Sequence, residues 1–234
     1  MPTAFLTIVA AAASPIAPFS ASAPGGALPD GWRSVALPRL PRAEPVLVED
    51  GGTTVLQLRA AGAVGSAVQR LDVDPAATPL LSWRWKVDRV VRGADLARKD
   101  GDDYAARVYV TFDVPLAELP FMTRTRIRLA RLLFGSELPS AALCYVWDNR
   151  HAVGTSAWNA YSDRVRMVVL RNGDARVGEW VDEARDVGED FRAAFGRQRA
   201  ALPHVSGVAV STDTDQTGET VTAWFGDLAL GPRR

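Results

Sequence analysis

Polar and apolar residues alternate along most of this chain with a period of two. In Tyr104–Phe112, Ala106, Val108, Val110 and Phe112 share one parity, while Arg107, Tyr109 and Thr111 take the other. That period sends the first set to a core face and the second to the opposite face of a sheet. Leu80–Val87 repeats the pattern, with Leu81, Trp83, Trp85 and Val87 set against Ser82, Arg84 and Lys86. Further strands are predicted over 31–37, 45–48, 53–59, 63–71, 141–147, 164–170, 177–181, 205–210 and 220–230. Glu49-Asp50-Gly51-Gly52 and Asn172-Gly173 are tight-turn signals between them. The period lengthens at 115–134 and at 189–200, which predicts two short amphipathic helices, the first ended by Gly135. Most connections are too short for the crossover helices of a parallel sheet. The expected fold is therefore all-β: an antiparallel β-sandwich of jelly-roll type with two short peripheral helices.

At 234 residues the chain fits one large domain, expected over 31–231. Lys+Arg and Asp+Glu both count 27, so no net field favours nucleic acid or an anionic membrane. Cys144 is the one cysteine, which excludes an intrachain disulfide and a cysteine-based zinc cluster. Ala4–Ala13 is an apolar run too short to span a bilayer, and the small-residue series Ala21-Ser22-Ala23 follows it. A signal peptide over 1–23, cleaved after about Ala23, and a Gly/Pro linker over 24–30 are expected. Cleavage would leave a periplasmic or secreted protein with no transmembrane segment.

Several segments together resemble a bacterial family known as a domain of unknown function, family 3047. They are LSWRWKV (81–87), GDDYAARVYVTFD (101–113), YVWD (145–148), SDRVRMVVLRNG (162–173), EDFRAAFG (189–196) and DTDQTGETVTAWFGDL (213–228). The resemblance covers nearly all of the chain after the linker. It implies export and no established activity. The last strand is also similar to the closing strand of jelly-roll carbohydrate-binding modules, a likeness of fold alone.

Candidate chemistry falls into three groups. Arg84, Lys86, Arg107, Tyr109, Tyr145, Trp147 and Arg164 are read as the polar parities of four strands, with Asp148 at the end of one. If those strands share a sheet, they form a cationic and aromatic concave face suited to a glycan or another anionic polymer. A solvated face closed by Arg–Asp pairs is the alternative. Asp213, Asp215 and Glu219 form an oxygen-rich loop able to wrap Ca²⁺, although not at EF-hand spacing, and a self-bonded hairpin turn is the plainer account. For catalysis, Asp103 with Asp148, or His151 with Tyr109 and Arg107, would serve a polysaccharide lyase or hydrolase, but no spacing enforces either set. The expected role is thus carbohydrate or anionic-ligand binding, with an enzyme or a structural cell-envelope protein as alternatives.

Overall fold

The computed structural model describes residues 14–35, 39–119, 139–196 and 201–233. Thirteen strands lie within them: β1 (Trp32–Val35), β2 (Val46–Asp50), β3 (Thr53–Ala61), β4 (Val64–Val73), β5 (Leu80–Val87), β6 (Tyr104–Phe112), β7 (Ala141–Asp148), β8 (Ser156–Asn159), β9 (Ser162–Asn172), β10 (Val181–Asp186), β11 (Val205–Asp213), β12 (Thr220–Phe225) and β13 (Ala229–Gly231). A seven-stranded sheet has the order β1-β4-β11-β6-β7-β9-β8. The second sheet has the order β10-β5-β12-β3-β2, with β13 also pairing β5. One of the two sheets curls into a half-barrel.

The alternation read in β5 and β6 holds residue by residue. In β6, Val108, Val110 and Phe112 are fully buried between the sheets, and in β5 so are Leu81, Trp85 and Val87. Gly51 and Gly52 make the two-residue β2–β3 loop with φ of 62° and 77°, the left-handed pair such a hairpin demands. Aromatic rings fill the space between the layers. Trp83 stacks on Tyr145 at 5.3 Å and Trp85 lies 5.9 Å from Trp147. On the far side Phe112 meets Phe191 at 4.6 Å.

Several expectations need correction. The sandwich is not purely antiparallel, because β7 and β9 run parallel. The chain leaves β7, makes β8 at the outer edge and returns as β9, which slots between β8 and β7. Strand β8 itself was not predicted, since four residues with one Trp carry too little alternation. The strand expected at 177–181 begins only at Val181, after a run of turns. One α-helix is present among the described residues, α1 (Val187–Phe195), where 189–200 was expected. The Asp186 carboxylate caps it by accepting from the Glu189 N–H at 2.9 Å. Of the other predicted helix, Leu116–Glu118 is a 3-10 turn, and residues 120–138 lie outside the described ones. No helix among the described residues is long and apolar enough to cross a membrane.

The segment before β1 is docked on this core. Ile16 is 1% exposed and Phe19 is 0%, and the Phe19 ring lies 4.7 Å from that of Trp32. The Trp32 Nε1–H donates to the Ala17 carbonyl at 2.8 Å.

Candidate functional site

The outer face of the larger sheet is concave, and register decides which side chains line it. One row across the strands reads Arg33, Val68, Ala209 and Tyr109; the next reads Val35, Ser66, Ser211 and Arg107. A third row brings Arg70, Gly207 and Thr111 together. Large side chains are scarce in the middle of these rows, so the face sinks into a trough of about 960 Å³. That is ample for several sugar rings or a comparable small ligand. Hydroxyls line its floor: Ser66 Oγ donates to Ser211 Oγ at 3.0 Å, and Thr111 Oγ1 lies 3.0 Å from Ser206 Oγ.

Arg107 anchors one end of the floor. Its side chain is only 4% exposed and its charge is matched on several sides. Nη2 donates to Asp213 Oδ2 at 2.6 Å and to the Asp102 carbonyl at 2.9 Å, and Nη1 donates to the Tyr109 hydroxyl at 3.1 Å. The Tyr104 ring lies 5.0 Å from the guanidinium. Burial works against the charge, but Tyr109, Asp213 and Asp102 outweigh it and hold the pKa above the usual arginine range. Burial likewise raises the Tyr109 phenol, and it pushes the neighbouring Cys144 thiol up to about 12, so both stay protonated. Cys144 is fully buried and carries no thiolate chemistry.

From Arg107 a polar chain climbs to the rim. Asp102 Oδ2 accepts from the Asn159 amide at 2.9 Å, and Asn159 Oδ1 accepts from the Tyr161 N–H at 3.0 Å. Tyr161 is 58% exposed, with its hydroxyl donating to the Lys99 carbonyl at 2.9 Å. The Lys99 ammonium sits 5.3 Å from the ring centroid. An aromatic face is thus fixed in orientation at the edge of the trough and left open to water. Neither Asn159 nor Tyr161 was singled out in the sequence. Their only signal is an Asn and a Tyr in the tight β8–β9 turn.

Of the residues expected at a shared face, the structure brings together only Arg107 and Tyr109. Arg84 and Lys86 lie on the outer face of the other sheet, on the opposite side of the molecule. There Arg84 and Lys86 sit 4.5 and 5.1 Å from the Trp180 ring, Lys86 also sits over Trp224, and it pairs with Asp50. Tyr145 and Trp147 are core residues, because register places them opposite Val108 and Ala106. The Tyr145 hydroxyl donates to Asp190 at 2.7 Å, and the Trp147 Nε1–H donates to the Gly173 carbonyl at 3.2 Å. Asp148 is fully buried and accepts from the Arg150 and His151 N–H groups at 2.6 and 2.9 Å, which makes it a loop anchor. Its carboxylate also holds the His151 ring at 3.1 Å, and His151 is not among the residues that line the trough with Arg107 and Tyr109. Arg164 donates to the Ser140 carbonyl at 2.7 Å and covers Phe195.

The acidic loop is also assembled differently. Asp103, Asp213 and Asp215 bring carboxylate oxygens within 4.8 Å of one another. Glu219 instead accepts from the backbone N–H groups of Arg92 and Gly93 at 3.1 and 2.9 Å. Asp103 is taken up by the N–H groups of Gln216 and Thr217, and Asp213 by Arg107. Burial pushes Asp213 up to about 8; Arg107 opposes this, and Asp215 and Asp103 reinforce it. The folded state therefore keeps a proton on Asp213 that the unfolded chain releases near pH 4. Stability from this group is complete below about pH 4 and drains away as pH rises toward about 8. Asp213→Asn removes the titration. The Tm difference between wild type and this variant is expected to shrink or turn negative from pH 4 to 8; a constant difference contradicts the assignment.

The chain belongs to the family described as "Protein of unknown function (DUF3047)", whose model matches residues 30–229. No curated protein sequence matches it. Among solved structures it is similar to the xyloglucanase domain of a type three effector from Sinorhizobium fredii in complex with cellobiose. Identity there is 7%, with 96% of this chain and 99% of that one covered and a TM-score of 0.45. It is also similar to a family 11 carbohydrate-binding module of a Clostridium thermocellum cellulosomal cellulase, at 8% identity, 96% and 97% coverage and a TM-score of 0.44. A metagenome-derived family 12 endoglucanase matches at 13% identity, 87% and 92% coverage and a TM-score of 0.44. At such scores these likenesses carry no weight for function.

Proposed function

We propose that the trough on the larger sheet binds a stretch of carbohydrate, with a sugar ring stacked on Tyr161, and that the protein works outside the cytoplasm. The observation behind this reading is the Tyr161 ring, exposed at the rim yet held by its hydroxyl, its amide and Lys99. A fixed aromatic plane beside a hydroxyl-rich hollow matches a sugar's apolar face and polar edge. The lining charges nearly cancel: Arg33, Arg70 and the buried Arg107 stand against Asp102 and Asp113, while Asp213 keeps its proton below about pH 8. That balance favours a neutral glycan over a polyanion.

Affinity electrophoresis through gels containing neutral or uronate polysaccharides tests this. Wild type is expected to be retarded by at least one neutral polymer, and Tyr161→Ala to weaken that interaction roughly tenfold. Because the ring is exposed, the same variant should keep its Tm. Retardation by uronate polymers alone replaces the neutral glycan with an anionic one. Equal retardation of variant and wild type by every polymer removes the trough reading. Release of reducing ends during the assay assigns hydrolysis in place of binding.

A further inference from the structure

Two small-residue series follow the apolar run Ala4–Ala13. Ala11-Ala12-Ala13 closes it, and Ala21-Ser22-Ala23 comes ten residues later. Leader length leans to the second, but both carry the small side chains that an export peptidase requires just before the cut, and that rule does not choose between them.

The fold does. Between Ser14 and Ser20 the chain makes a series of contacts that complete the sandwich. Ile16 and Phe19 are among the largest fully buried side chains of the protein. The Gln69 side chain is satisfied by this segment alone: its Oε1 accepts from the Ala17 N–H at 3.0 Å, and its Nε2 donates to the Pro15 carbonyl at 3.1 Å. Gln69 is 7% exposed, so without the segment a buried amide and the Trp32 indole N–H would lose their partners. The far end of the chain is tied in as well. The Leu230 N–H donates to Ser14 Oγ at 3.2 Å, and Ser20 donates to the Asp227 carboxylate through its N–H at 3.0 Å and its hydroxyl at 2.5 Å. A cut after Ala23 would discard all of these contacts and open a hole beneath Trp32.

We propose that export processing occurs at the Ala11-Ala12-Ala13 series, upstream of Ser14, and that residues 14–23 remain in the mature protein as a clasp joining β1, β4 and the C-terminal strand. This stands apart from the carbohydrate reading, because it concerns the mature N-terminus and not the trough.

The experiment is expression of the full chain in a Gram-negative host, with N-terminal sequencing and intact mass of the periplasmic product. A cleaved product starting at or before Ser14 is expected. A start at Pro24, or at any residue after Ser14, overturns the proposal, and so does an uncleaved chain. A second readout uses Phe19→Ala in the same full-length chain. With the clasp retained, Tm of the processed protein should fall by on the order of 10 °C. An unchanged Tm means that the segment is gone from the mature protein, and it overturns the proposal even if the sequencing is ambiguous.

Discussion

Arg107→Ala is expected to cost about 3–5 kcal/mol of folding free energy, read as a lower urea midpoint. The substitution leaves the surrounding acceptors without their cation, in a site where the arginine side chain is only 4% exposed. Asp213, the Asp102 carbonyl and the Tyr109 hydroxyl lose a partner in a single step. Taking away one member of a buried hydrogen-bonded set costs more than removing donor and acceptor together, because the survivors stay desolvated. The double substitution Arg107→Met with Asp213→Asn should therefore recover part of the loss. A single Arg107→Ala variant within about 1 kcal/mol of wild type would mean that water already reaches the guanidinium.

Trp147→Ala should be as damaging, by about 3–5 kcal/mol, through a different mechanism. Trp147 is 1% exposed and its ring packs on Trp85. Truncation leaves a void between the sheets that the rigid strands on either side cannot collapse to fill. The two tyrosine and tryptophan sites should separate cleanly in experiment. Tyr161→Ala loses glycan retention and keeps stability; Trp147→Ala loses stability and, below its unfolding transition, keeps glycan retention. If Trp147→Ala abolishes retention in fully folded protein, the trough is not the binding surface.

Strands were legible in this sequence where one face is polar. β5 and β6 were placed to the residue because Ser82, Arg84 and Lys86 interrupt the apolar positions of the first and Arg107, Tyr109 and Thr111 those of the second. β7 was placed but read on the wrong side. Its sequence, AALCYVWD, is buried on both faces, so the choice between Leu143, Tyr145, Trp147 and Ala142, Cys144, Val146 had no polar residue to decide it. Polar tips suggested an outward Tyr145 and Trp147; in fact Asp190 and the Gly173 carbonyl satisfy those tips inside the protein.

The shared hollow expected from Arg84, Lys86, Arg107 and Tyr109 failed for a related reason. A sandwich has two outer faces, and alternation within a strand cannot say to which of them its polar parity belongs. Arg107 and Tyr109 went to the larger sheet, Arg84 and Lys86 to the smaller. The site was visible only in part for the same cause. Its floor is made by cross-strand register among β1, β4, β11 and β6, in which β4 pairs β11 across more than 130 positions of sequence.

The bonds from Ser14 to Leu230 and from Ser20 to Asp227 set a timetable for the nascent chain. Strand β5 is likewise incomplete until β10, β12 and β13 have been made. A chain lacking residues 227–231 leaves β5 without β13 and Ser14 and Ser20 without these partners, so those contacts close late, after the strands they join.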